Sequence, residues 1–215
     1  MPSPVAYPLA GVMHSNGHLR DLEVDRWLHD ADEVDLRILE RVRGPVLDVG
    51  CGPGRHVEAL AQRGIDALGM DLTPDFVALA QRSRRSVVLH SVFDPIPGGN
   101  EWNWALILDG SIGIGGDPVA LLRRVGCLLA PGGQVLVETE APDRRSEHMA
   151  MVITSEAGVD SWFDWATLSA SDATRVAEAA QFTVDECWED CHRWFVQLTR
   201  RESVSGARRE TPGGV

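Results

Sequence analysis

A doubly wound α/β sheet is predicted by two observations. Strand-length apolar runs alternate with helix-length segments of amphipathic spacing, and the first of those runs leads directly into a glycine-rich turn. That run is Val46-Leu47-Asp48-Val49, and the turn is Gly50-Cys51-Gly52-Pro53-Gly54-Arg55. Branched apolar residues at successive positions mark a strand buried on both faces of a parallel sheet. After Arg55, Val57, Leu60 and Ala61 share one helical face with Glu58 and Gln62 outside it, and Gly64 supplies the stop. Glycine suits such a turn because it tolerates positive φ and lets a ligand lie against backbone N–H groups at a helix N-terminus. A nicotinamide dinucleotide fingerprint needs a further glycine at the sixth position from Gly50, for close helix packing. Arg55 stands there and disfavours a nicotinamide oxidoreductase.

The pattern Asp48-x-Gly50-x-Gly52-x-Gly54 resembles motif I of the class I S-adenosylmethionine-dependent methyltransferases of small-molecule type. Two later stretches extend the resemblance in the right order. Leu68-Gly69-Met70-Asp71-Leu72 ends a second apolar run in an acid, where a ribose diol needs a carboxylate acceptor. Leu128-Leu129-Ala130-Pro131-Gly132-Gly133-Gln134-Val135-Leu136-Val137 matches the family's helix, Pro-Gly-Gly turn and fifth strand. The matches span roughly residues 45–140, and the ordered set is far more specific than a lone glycine loop. The resemblance implies a Rossmann-like doubly wound sheet of seven strands with an antiparallel last strand, an N-terminal helical lid and a small β insertion after strand 5. It implies S-adenosylmethionine as cofactor, held by Asp48, Gly50, Cys51, Gly52 and Gly54 of the loop and by Asp71 and Leu72 after the second strand. Phe93 would pack the adenine and Asp94 would accept from its exocyclic amine.

Taken from the N-terminus, residues 1–20 read as irregular, with Pro4, Pro8, Gly11 and the turn signal Asn16-Gly17. Val24, Trp27, Leu28 and Ala31, then Val34, Ile38, Leu39 and Val42, fall at helical spacing, which predicts one broken helix or two. Asp30 or Asp32 is placed to cap the second segment. The expected division is a segment with lid helices over residues 1–44, a methyltransferase domain over 45–200 with an insertion at about 141–170, and a disordered tail over 201–215. Thr73 and Pro74 start a helix, and a third strand is expected over Val87 to Phe93. A fourth strand, Ala105 to Leu108, ends in the loop Asp109-Gly110-Ser111-Ile112-Gly113-Ile114-Gly115-Gly116. Ligands of open α/β sheets bind beyond the carboxyl ends of the strands, so Asp109 and Ser111 should border the cofactor's methionine end and the acceptor. Two apolar runs around Gly158, one of them containing Trp162, Phe163 and Trp165, predict a strand pair capping the site. A last helix near Ser171 to Gln181 and strands near Phe182 to Glu189 and Arg193 to Thr199 complete the pattern.

The chain of 215 residues carries 32 acidic against 20 basic residues, a formal charge of -12, so polyanionic nucleic acid is an unsuitable partner. All its basic residues are arginines, which excludes lysine Schiff-base chemistry. Cys51, Cys127, Cys187 and Cys191 have neither zinc nor redox spacing, and a reduced cytoplasmic setting is expected; Cys51 and Cys127 read as small buried hydrophobes. No metal ligand set and no membrane segment are expected, and the protein should act as a monomer or homodimer on a small-molecule acceptor. Methyl transfer from a sulfonium needs alignment and exclusion of water before it needs a base. Were a base used, His14 and His18 in the expected cover are the catalytic candidates, ahead of His148 and ahead of His56 and His90, which read as structural or solvent-facing. Trp162 is the candidate for an apolar contact with the acceptor, alongside Ser111, and Arg20 or Arg26 for the cofactor's carboxylate. A non-catalytic, cofactor-binding regulatory relative would keep the same pocket, and turnover of an acceptor separates the two.

Overall fold

A computed structural model of the chain describes residues 9–14, 19–20, 24–96, 101–155, 158–159 and 162–201. In chain order, β1 (Leu9–His14) and β2 (Leu19–Arg20) precede the helices α1 (Val24–Leu28) and α2 (Glu33–Leu39). Then come β3 (Val46–Val49), α3 (Arg55–Gln62), β4 (Ala67–Asp71), α4 (Pro74–Arg82), β5 (Val87–Leu89) and β6 (Trp102–Ile107). A 3₁₀ segment, Ser111–Gly116, leads to α5 (Pro118–Leu128) and β7 (Leu129–Thr139). The remaining elements are β8 (His148–Ser155), β9 (Gly158–Val159), β10 (Phe163–Ala166), α6 (Ala173–Ala179), β11 (Phe182–Asp190) and β12 (Arg193–Arg200).

Seven strands form the main sheet in the order β11-β12-β7-β6-β3-β4-β5. The five from β7 to β5 are parallel, and β12 runs antiparallel between β7 and β11. Alternate residues of each strand point to opposite faces and so feed two separate cores. Leu47, Ala105, Ile107, Val135 and Val137 pack under α5 and α6 with Leu121, Val125 and Val176. Val46, Trp104, Leu106, Leu136 and Phe195 pack under α2 and α3 with Ile38, Leu39 and Leu60. Asp48 shares the second face by the same alternation, which buries a carboxylate there.

The two expected N-terminal helices are present, and Asp32 caps α2 by a capping box with Asp35. α2 is a core element through Val34, Ile38 and Leu39. At the strand ends α1 places Arg26 beside Asp109 and Trp27 against Phe76, and a second sheet, β10-β8-β1-β2 with β9 on β8, adds to the cover. Residues 1–20 are thus not irregular throughout, because β8 supplies a pairing edge to β1 with Gly11 opposite Thr154 and Met13 opposite Val152. Propensity in the segment itself carries no trace of a partner so distant in sequence.

Two expectations inside the main sheet are also corrected. β5 stops at Leu89: His90 N–H makes the last ladder bond, to Asp71 O of β4, and Asp94 N–H turns back to Ser91 O, which leaves Phe93 and Asp94 in a turn rather than a strand. Pro131-Gly132-Gly133 is a bulge within β7 and not a turn before it, with Leu129 opposite Trp102 and Gln134 opposite Trp104. Cys127 is exposed and Cys51 buried. Residues 202–215 of the expected tail lie outside the described residues.

Deleting residues 1–18 removes β1 and leaves β8 as an edge beside β10. Hydrogen exchange read by mass spectrometry should show amides of residues 150–155 exchanging at least about tenfold faster, with 46–49 and 104–107 as protected as before. Unchanged protection of β8 would mean that β1 does not stabilise the cover.

Candidate functional site

β3 ends in three left-handed glycines, Gly50, Gly52 and Gly54, with φ of +70°, +53° and +81°. Gly54 is the N-cap residue of α3, so the loop runs straight into a helix start, with the N–H groups of Gly50 and Cys51 bonded to Met70 O and that of Gly54 to Cys51 O. The parallel register of β3 and β4 puts the end of one strand beside the other, Val49 opposite Met70. Asp71 therefore reaches the loop: its Oδ2 accepts from Gly52 N–H at 2.8 Å and its Oδ1 from Thr73 N–H at 2.7 Å. A Cβ at Gly52 would meet nothing nearer than Phe76 Cδ2 at 3.9 Å, so the outer face of the loop is open. Leu72 is 64% exposed and Phe93 45% exposed, two large apolar side chains at the carboxyl ends of β4 and β5. Asp94 is exposed, its carbonyl taken by Arg124. Ser111 is buried, and its hydroxyl donates to Gly50 O at 3.2 Å.

Two of the expected cofactor residues have carboxylates directed into the protein instead. Asp48 Oδ2 faces His56 Nδ1 at 3.6 Å, and Asp109 pairs with Arg55 through Nη1 at 2.6 Å and Nη2 at 2.9 Å. Both belong to a buried ionic network on the α2 and α3 face. Arg55 Nε donates to Asp35 Oδ2 at 2.9 Å, and His56 Nε2 lies 3.4 Å from Asp35 Oδ1. Arg193 Nη1 donates to Asp35 Oδ1 at 2.9 Å while its Nε holds Glu138 Oε1 at 2.8 Å. Arg26 Nη1 approaches Asp109 Oδ1 at 3.8 Å from α1. Five carboxylates, those of Asp35, Asp48, Asp109, Glu138 and the half-exposed Asp32, thus face Arg26, Arg55, Arg193 and His56, which leaves one negative charge in excess when His56 carries its proton.

Burial works against charge on these groups, and the partners overcome it. His56 is pushed up from 6.5 to about 9 by Asp35 and Asp48 against the desolvation that lowers it. Desolvation of Asp35 is likewise outweighed, by His56 and Arg55, which hold its carboxyl far below the usual range. Burial, then Asp48 and Asp71, push the Cys51 thiol up, so it stays protonated and packs as a small apolar group.

The cover sheet closes on the 3₁₀ segment. A Cβ at Gly113 would stand 2.2 Å from Ala166 O and 2.4 Å from Trp165 Nε1, so only glycine lets β10 lie this close. Trp162 is 52% exposed at the start of β10, while Phe163 and Trp165 meet edge to face. His148 Nε2 and Asp164 Oδ1 stand 3.5 Å apart over Gly116. His14 lies on β1, and His18 lies outside the described residues. His90 Nε2 is held by the Pro95 carbonyl at 2.9 Å. Beyond the end of β7 a polar groove of about 500 Å³ is lined by Glu140, Asp143, Arg144, Arg145, Glu147 and Thr167, none of them from the glycine loop.

A family model described as a methyltransferase domain matches residues 18–187. The chain belongs to the methyltransferase domain family. Among curated proteins, this methyltransferase-domain chain is 29% identical over 125 residues to the ubiquinone biosynthesis O-methyltransferase of Pseudomonas paraeruginosa, covering 52% of the chain and 53% of that protein. It is 27% identical over 177 residues to the trans-aconitate 2-methyltransferase of Methylobacterium nodulans, covering 76% and 66%. The chain spans about half the length of the ubiquinone-pathway relatives that it matches. Among solved structures, a methyltransferase from Bacteroides fragilis in complex with S-adenosyl-L-homocysteine superposes with a TM-score of 0.77 at 21% identity, over 89% of this chain and 87% of that one. An amino pentose methyltransferase from Micromonospora echinaspora gives a TM-score of 0.62 at 20% identity, over 83% and 95%.

Sequence reasoning missed Asp35, Glu138 and Arg193, and saw in Arg55 only a missing glycine. One signal was present: Asp35 falls on the apolar stripe of α2, three and four residues before Ile38 and Leu39, where an acid must be paired if it is buried.

The network gives a pH dependence whose sign follows from the two shifts. The raised pKa of His56 adds stability that is fully present below pH 6.5 and is lost as pH rises through about 9. The depressed Asp35 adds stability present above 3.8 and lost as pH falls below it. Urea unfolding should therefore show stability declining between pH 6.5 and 9 by up to roughly 3 kcal/mol, and His56→Gln should flatten that decline. An equal slope in both proteins would remove His56 as its source.

Proposed function

We propose that this chain is an S-adenosylmethionine-dependent methyltransferase that acts on a small-molecule acceptor. One observation carries the reading: Asp71 is tied to Gly52 N–H at 2.8 Å in an open glycine loop, with the exposed apolar side chains of Leu72 and Phe93 nearby. That cradle suits a ribose carboxylate acceptor beside an apolar slot for a base, and a side chain at Gly52 would fill it. The Bacteroides fragilis structure, solved with S-adenosyl-L-homocysteine, has the same fold and supports the choice of ligand.

The sulfonium supplies the methyl group, and the chain supplies placement. Gly50, Gly52 and Gly54 offer close approach of a backbone without side chains, Asp71 orients the ribose, and Phe93 with Asp94 receives the adenine. Asp109 acts at one remove, through its pairing with Arg55. The cover sheet bearing His14 and Trp162 excludes water from the transferring methyl, and the acceptor enters between it and Ser111. A net charge of -12 favours a small acceptor over a nucleic acid. Among the described residues no helix is long and apolar enough to cross a membrane. Four free thiols fit a reducing cytoplasm.

Calorimetry should show binding of S-adenosylhomocysteine and none of NAD; tight NAD binding with no response to S-adenosylhomocysteine would overturn the assignment. Asp71→Ala should weaken the cofactor by about 1 to 3 kcal/mol, because it removes the ribose acceptor and releases Gly52 N–H. An unchanged dissociation constant would place the ribose elsewhere. Gly52→Val should leave a folded protein, since its Cβ has space, while abolishing S-adenosylhomocysteine binding through the side chain and the strain of a branched residue at φ +53°. Retained binding would show that the ligand does not lie on this loop.

A further inference from the structure

The chain leaves β6 through two consecutive left-handed residues, Asp109 with φ +53° and Gly110 with φ +80°. The first is not glycine, and such a conformation persists only where its surroundings hold it. Arg55 holds the carboxylate of Asp109, and Glu138 Oε2 accepts from its backbone N–H at 2.8 Å. Glu138 is in turn gripped at both oxygens, by Arg193 Nε at 2.8 Å and Nη2 at 2.9 Å. The remaining Nη1 of Arg193 donates to Asp35, and Cζ lies 5.0 Å from the Phe195 ring centroid, which orients the guanidinium plane. Two residues after Asp109, Ser111 donates to Gly50 O, so closely that a Cβ at Gly50 would stand 2.6 Å from the Ser111 hydroxyl. The position of the Asp109 amide therefore sets how Ser111 meets the glycine loop.

We infer that Arg193, acting through Glu138, is a positioning residue for cofactor binding. It comes from β12, the antiparallel strand between β7 and β11, and it fixes the turn that carries Asp109 and Ser111 against the first strand's loop. The inference rests on the cofactor reading above. The Arg193 and Glu138 side chains are 12% and 13% exposed, so water does not screen the fork as it screens a surface pair. A lysine at this position keeps the charge but not the planar fork, and cannot hold both Glu138 oxygens and Asp35 at once.

The test compares wild type with Arg193→Lys and with the double variant Arg193→Met, Glu138→Leu. Three quantities are measured: the dissociation constant of S-adenosylhomocysteine, the melting temperature, and the chemical shift of the Asp109 amide proton. The double variant replaces a buried ion pair with apolar side chains, which restores packing without the acceptor for Asp109 N–H. It should stay folded, melting below wild type because Asp35 loses a donor and Asp109 N–H its acceptor, and bind at least about tenfold more weakly, with the Asp109 amide shifted upfield from its carboxylate-bonded position. Arg193→Lys should fold, move the same resonance and bind with intermediate affinity. A folded double variant that keeps wild-type affinity, or a lysine variant indistinguishable from wild type in both affinity and amide shift, would reduce the fork to a structural role and overturn the inference. A wild type that ignores S-adenosylhomocysteine defeats the cofactor reading instead, and the amide shift then decides alone whether Arg193 positions Asp109.

Discussion

The carboxyl end of this sheet depends on the burial of Arg55. A guanidinium at 3% side-chain exposure must be matched by acids on every side, and the chain brings them from three different elements. Asp35 comes from α2, Asp109 from the end of β6, and Glu138 joins from β7 by way of Arg193. Removing one partner from such a set costs far more than an exposed pair contributes, because the charge left behind stays in the dry interior. The helix that precedes the sheet, the strand ends and the antiparallel strand are thereby held in one arrangement. The glycine loop sits at the margin of that arrangement, with α3 beginning at Arg55 itself.

Most of the main sheet was legible because its signals are local. Val46 to Gly54 states a buried strand and a side-chain-free turn within nine residues, and Asp71 follows one strand and one helix later. Both α helices before β3 were visible from spacing, and the cap at Asp32 from residue type. What escaped depends on pairings between distant residues. β1 reads as an irregular stretch until β8 lies beside it, and β5 ends where pairing with β4 ends, at Asp71. The bulge at Pro131 to Gly133 likewise belongs to the register with β6.

The candidate site divides in the same way. Gly50, Gly52, Asp71 and Ser111 meet at the loop, whereas Asp48 and Asp109 serve ion pairs. Nothing in a motif says whether an acid faces a ligand or an arginine; the alternation of a strand does. Asp48 shares a face with Val46, and Glu138 with Leu136, so both point under α2 and α3. Acceptor-side residues carried the least signal, since alignment and dryness can be supplied by many side chains.

The cover sheet joins the two halves of the chain's history. β1 precedes the main sheet in the chain, yet its longer hydrogen-bonding partner, β8, is made only after the five parallel strands of that sheet. Until β8 emerges, β1 has only the two residues of β2 to pair with, and the mouth of the sheet stays uncovered. A contact of such long range is slow to form, because loop closure must precede it. The five parallel strands can thus be assembled around an open mouth, with closure of the cover deferred until the nascent chain has passed residue 155.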